Sequence, residues 1–192
     1  MTASLVEIPG YVAGTWTIDP VHSTVGFTVR HLMVSKVRGR FGTFEGTIVT
    51  GENPLDSSVT ATIDLSSVDT GNAMRDEHVR SADYLDAGKY PSMSYRSTGV
   101  RADGDGFVVD GELSLRGVTK QVPLRLEIEG FGPDAFLEDP FKGARAGFTA
   151  TGEISRLEFG VGDTGKVPGG TGLGLGEKIQ IILEIEAALQ TG

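Results

Sequence analysis

Apolar and polar residues alternate strictly along most of this chain, and that pattern constrains its fold more than any other feature. Side chains two apart on an extended backbone share a face, so alternation marks strands with one face buried. Between Ser23 and His31, one face carries Val25, Phe27, Val29 and His31, and the other carries Thr24, Thr28 and Arg30. The same parity runs through Phe44–Thr50, then through Val59, Ala61, Ile63 and Leu65, and through Met93 and Tyr95. It resumes at Phe107, Val109, Gly111, Leu113 and Leu115, and at Val122, Leu124, Leu126 and Ile128. Ala146, Phe148, Ala150 and Ile154 follow, and Ile179, Ile181, Leu183 and Ile185 close the series. Asp103-Gly104-Asp105-Gly106 and Gly117-Val118-Thr119-Lys120 read as tight turns.

The alternation fails once. Asn72 to Ser81 has the spacing of a short helix, with Asn72 as its N-cap and a loop running on to Gly88 and Pro91. Roughly eight strands at hairpin spacing, with little helix between them, predict an antiparallel meander. Eight strands suffice to close a barrel around side chains or one small ligand. A two-sheet sandwich fits the same periodicity, which alone does not choose. Residues 1–14 read as a flexible N-terminal arm and 15–192 as one domain, with 28 glycines suiting a turn-rich β protein.

Charge and chemistry narrow the function. Lys and Arg number 17 against 26 Asp and Glu, a net charge of -9. That balance argues against nucleic-acid binding and also disfavours simple electrostatic docking onto anionic lipid. There is no Cys, which excludes disulfides and thiolate chemistry. The N-terminal residues show no signal-peptide pattern, and no apolar run approaches the length of a membrane helix, so a cytoplasmic, non-membrane-spanning protein is expected.

Of the three histidines, His22, His31 and His78, none has metalloprotease-type spacing. Gly160 to Gly165 matches GxGxxG by letter, but Pro168 and further glycines follow where a phosphate-binding helix must begin. Residues 160–176 are therefore expected to form a glycine-rich loop beside a cavity mouth. No GxSxG elbow is present, and Glu184 and Glu186 fall on a solvated strand face. Several inward positions are small, namely Ala61, Gly111, Ala146 and Ala150, and small inward residues in a closed barrel leave apolar space.

A family likeness emerges from an ordered set of motifs. Trp16-Thr17-Ile18-Asp19-Pro20-Val21-His22-Ser23, continuing to Val25, Phe27 and His31, resembles the opening of the YceI-like family of lipocalin-like, polyisoprenoid-binding proteins. Ile63 to Thr70, Arg75 to Asp86 with Tyr90-Pro91, Gly111 to Lys120, and Arg156, Phe159 and Gly160 resemble its later motifs in order. The resemblance spans about Thr15 to Ile185. It implies an all-β, eight-stranded antiparallel lipocalin-like barrel with one short helix, whose lumen holds a polyprenyl chain, an isoprenoid quinone or a comparable long-chain lipid.

Within such a barrel the alternation nominates the lumen lining: Phe27, Val29, Phe44, Ile63, Met93, Tyr95, Leu113, Leu115, Leu124, Phe148, Ile181 and Leu183. His31, His78 and Tyr84 are the candidates for holding a polar head at the mouth. No catalytic residue, metal or cofactor is expected, the lipid being a ligand. A homodimer is the oligomeric expectation, from apolar Ile182 on an outer face and from the resemblance. Two other readings stay open. One is an enzyme acting on a lipid or quinone headgroup with His31 or His78 as acid/base. The other is a packed protein-interaction module.

Overall fold

The computed structural model describes residues 7–139, 143–165 and 174–191. Twelve strand segments occur among them: β1 (Gly14–Ile18), β2 (Thr24–His31), β3 (Ser35–Phe41), β4 (Phe44–Thr50), β5 (Ser58–Asp64), β6 (Val68–Asp69), β7 (Ser92–Asp103), β8 (Gly106–Leu115), β9 (Val118–Gln121), β10 (Leu124–Gly132), β11 (Arg145–Ser155) and β12 (Leu175–Leu189). One α-helix, α1 (Ala73–Arg80), lies between β6 and β7.

The pairings reduce these segments to eight meandering strands. β1 and β2 are one strand broken at Asp19–Ser23, because both pair with β12 along the same edge. β3 with β4, β5 with β6, and β9 with β10 are likewise interrupted single strands. All pairings are antiparallel. The last strand returns to the first, with Trp16 opposite Leu189 and Ile18 opposite Ala187. That pairing closes an eight-stranded antiparallel barrel and resolves barrel against sandwich, which periodicity left open.

Two local features differ from the sequence reading. β3 was not anticipated there. It pairs along its whole length with β2, from His31↔Ser35 to Val25↔Phe41. The turn expected at Gly117–Lys120 sits earlier, at Arg116 and Gly117 (φ 51° and 75°), so Val118 to Lys120 are already strand. Two consecutive residues with positive φ match the twist of a tight hairpin.

The helix forms as its cap predicts. The Asn72 side chain accepts the Arg75 N–H at 2.9 Å. Asp76, buried within α1, accepts both the backbone N–H and the hydroxyl of Thr70, at 2.8 and 2.6 Å. These bonds fix the helix to the end of β6. No helix among the described residues is long and apolar enough to cross a membrane.

Inward residues form two buried clusters. The larger runs from Phe41, Ile63 and Leu65 through Leu113, Leu115 and Leu124 to Phe159. The smaller gathers around Trp16 with Ala144, Ala146, Phe148 and Ala187.

Candidate functional site

The inward faces do not meet in the middle. They enclose a hollow of about 680 Å³ that extends along the barrel. Its wall is built almost entirely from alternate apolar side chains of all eight strands, for the reason the sequence indicates: one parity of each strand faces in. All fifteen candidate residues border this hollow. Phe27 and Val29 come from β2, Phe44 from β4, Ile63 from β5, and Met93 and Tyr95 from β7. Leu113 and Leu115 come from β8, Leu124 from β10, Phe148 from β11, and Ile181 and Leu183 from β12.

Small residues open part of this space and are consumed elsewhere. Ala61 and Ala150 line the hollow. Gly111 does not add free volume, because a Cβ there would lie 2.4 Å from the Tyr95 hydroxyl. That hydroxyl donates to the Val122 carbonyl at 2.9 Å, so Tyr95 turns its oxygen into the wall and only its ring toward the lumen. Burial pushes its phenol pKa well above the ordinary value. Ala146 packs in the Trp16 cluster instead of opening the lumen. Gly39 lets the Phe27 ring lie across β3, since a Cβ there would fall 2.3 Å from that ring.

One end of the barrel is filled by an aromatic plug. Trp16, fully buried, meets Phe131 edge-on at 5.6 Å, and Phe131 meets Phe148 at 5.9 Å. The Trp16 indole N–H donates to the Thr50 hydroxyl at 2.8 Å, which in turn donates to the Val12 carbonyl at 2.7 Å. Tyr11 packs on Phe131 and donates to the Gly51 carbonyl at 2.8 Å. Of the segment read as an arm, residues 1–6 lie outside the described residues, while Tyr11 lies over this end.

The other end carries the ionisable groups. His31 and Leu32 from the β2–β3 turn, Arg75, His78 and Tyr84 from the helical segment, and Asp163, Gly165 and Gly174 border it. His78 shares a hydrogen bond with Asp83 at 3.0 Å and meets the Tyr84 ring edge-on at 5.0 Å. His31, the last residue of β2, is exposed and also borders the hollow. His31 and His78 thus lie at the mouth of the hollow and not in its depth. The middle of the glycine-rich loop, 166–173, lies outside the described residues.

Arg156, only 2% exposed, holds this rim together. Its guanidinium donates to the carbonyls of Gly176 and Val161 at 2.8 Å and of Asp163 and Leu175 at 3.0 Å. The sequence reading placed it in a motif but gave it no role. Val37 and Phe41 of β3 also line the hollow and were missed, although their alternation with Lys36, Arg38 and Arg40 was there to be read.

A second polar cluster lies away from the lumen. Asp19, His22 and Glu186 place ligand-type atoms within 4.8 Å of one another, and Arg145 already pairs with two of them. Its guanidinium is 2.7 Å from Asp19 and 3.2 Å from Glu186.

Comparison with known proteins agrees with this architecture. A family model described as YceI-like domain matches residues 16–187. The chain is 39% identical over 183 residues to Protein YceI of Shigella flexneri, covering 93% of this chain and 89% of that one. The crystal structure of a Campylobacter jejuni YCEI protein superposes with a TM-score of 0.69 at 27% identity, covering 84% of this chain and 90% of that one. A polyisoprenoid binding domain from Saccharophagus degradans shares the fold, with a TM-score of 0.62 at 14% identity over 93% of this chain and all of that one.

Proposed function

Because the chain belongs to the YceI-like domain family, we propose that its barrel binds a long apolar isoprenoid lipid, a polyprenyl chain or isoprenoid quinone, and sequesters or carries it. One observation carries this reading: a hollow of about 680 Å³ runs between apolar strand faces. Water filling such a volume would number about twenty molecules at ~30 Å³ each, and buried water needs two to four polar partners apiece. The lumen wall supplies very few. An apolar chain needs none, and burying it contributes about 0.8 kcal/mol per CH2-sized unit before the chain's lost freedom is subtracted.

The solved fold neighbour described as a polyisoprenoid binding domain supports the class of ligand. In this reading the protein acts as a binder and not a catalyst. His31, His78 and Tyr84 form a polar rim suited to a headgroup, while the aromatic plug forms the floor.

Organic extraction of the purified protein followed by mass spectrometry tests the proposal. An isoprenoid lipid is expected in the extract. Leu115→Asp places a charge in the lumen wall and should abolish retention. Because that variant risks unfolding, Ala61→Phe is the companion: it adds a ring to the hollow without adding charge. A folded Ala61→Phe protein that still extracts with wild-type lipid content would sink the lumen assignment.

A further inference from the structure

The β2–β3 hairpin borders the mouth of the hollow through His31 and Leu32, and three of its features do not suit a surface that faces only water. The first is its tip. The His31↔Ser35 pairing leaves a three-residue connection whose β-turn, closed by the Val34 N–H donating to the His31 carbonyl at 3.1 Å, has Leu32 and Met33 at its centre. Their φ values are 49° and 60°. Turns of this kind favour Asn and Gly, and large apolar residues are disfavoured at positive φ. Here three consecutive apolar residues stand outward, with Leu32 46%, Met33 54% and Val34 82% exposed.

The second is charge. No Asp or Glu occurs between Asp19 and Glu45, in a chain whose net charge is -9. Arg30, Lys36 and Arg38 project from the outer face of the hairpin, with Arg30 opposite Lys36 and Arg38 opposite Thr28. None of the three forms an ion pair with a described residue; Arg40, further from the tip, meets Asp69 at 3.4 Å. The third is position. β3 pairs with β6 only through Arg40 and Phe41. Ser35 to Gly39 therefore keep a free edge among the described residues, and the arm stands clear of the barrel wall on that side.

We propose that the β2–β3 hairpin docks the mouth of the barrel onto an anionic lipid bilayer, with Leu32, Met33 and Val34 entering the interface and Arg30, Lys36 and Arg38 meeting the headgroups. A bilayer accepts an apolar tip without needing a shaped pocket, and its negative surface attracts cations that lie within about one Debye length, roughly 10 Å. Each such cation strengthens partitioning about fivefold. The hollow then opens toward the phase in which an isoprenoid chain is soluble. The docking rests on the lumen reading for its purpose but is measured separately from it.

Co-sedimentation of the purified full chain with vesicles tests it, comparing phosphatidylcholine alone with phosphatidylcholine containing about one-third phosphatidylglycerol. Wild type should bind the anionic vesicles at least tenfold better, and added salt should release it. Met33→Asp with Val34→Asp, and Lys36→Glu with Arg38→Glu, should each reduce binding more than tenfold while melting as wild type does. Val21→Asp is the control. Val21 is 83% exposed, so a negative charge is added to an equally open apolar residue outside the hairpin. It should bind as wild type.

A Val34→Trp reporter should be quenched by bromine-labelled acyl chains, against a constant signal from buried Trp16. Equal binding to both vesicle types, wild-type binding by the hairpin variants, or an unquenched reporter would overturn the docking. Lipid extraction from the same preparations separates the two ideas. Vesicle binding without extracted isoprenoid would remove the lumen reading and leave the docking, and the reverse would remove the docking alone.

Discussion

Arg156 shows what a single side chain contributes here and why the sequence conceals it. An arginine in sequence reads as a surface residue, since arginines are rarely fully buried. Its partners are backbone carbonyls of Val161, Asp163, Leu175 and Gly176, up to twenty positions away. No pattern of residue types announces them. Together they tie residues 161–163 to the start of β12 beside the mouth. Arg156→Met should leave several buried carbonyls unmet and destabilise the fold by about 3–5 kcal/mol. Lysine should not rescue it, because an ammonium lacks the planar fork that spans four acceptors. Urea unfolding midpoints of the two variants would measure both effects. The lumen residues are the contrary case. Phe27, Leu113, Leu115 and Ile181 were legible because parity alone decides which way each faces. Tyr95 was legible as inward-facing, but the turn of its hydroxyl into the wall depends on Gly111 across the strand pair, which parity does not report.

At the level of elements, the helix was readable and one strand was not. Asn72 is a capping residue at the point where alternation stops, and its side chain accepts the Arg75 N–H as that position requires. Asn72→Ala should cost about 1 kcal/mol, seen as a lowered thermal midpoint, with the tie between α1 and Thr70 weakened alongside it. The missed strand, β3, carries Lys36, Arg38 and Arg40 on one face and only Val37, Gly39 and Phe41 on the other. Three cations and a central glycine dilute the strand signal. The turn before it uses Leu32 and Met33 where Asn and Gly would have marked a hairpin. The element was hidden because its turn breaks the usual turn chemistry, and that same departure is what marks the hairpin as a docking arm.

At the scale of the whole molecule, closure is secured where the first and last strands meet. Asp19, at the break between β1 and β2, lies beside Arg145 of β11 and near Glu186 of β12. The hydrogen bond from His22, foremost, and the Arg145 guanidinium hold the Asp19 carboxyl well below its ordinary 3.8. The same bond to Asp19 raises the His22 pKa above its ordinary 6.5. Both shifts stabilise the folded state, with opposite limits. The Asp19 contribution is complete above 3.8 and fades as pH falls through its lowered folded value. The His22 contribution is complete below 6.5 and fades as pH rises through its raised folded value. His22→Gln should therefore lower the urea midpoint most between those two pH values, and the difference from wild type should shrink in alkaline buffer. His22 is surface-exposed, so the effect is modest. A wild-type minus variant difference that grew as pH rose above 6.5 would contradict the pairing.

The pairing of Trp16 with Leu189 has a consequence for how the hollow comes into being. Gln190 reaches Thr17 across 173 positions of chain, so the contact that completes the ring is among the most distant the polypeptide can make. Such contacts form late and slowly, because loop closure is entropically unfavourable until other contacts offset it. A nascent chain still lacking β12 is a curved open sheet with bare margins on both sides, exposed to aggregation and unable to retain any cargo. The enclosed hollow exists only once that final strand is in place.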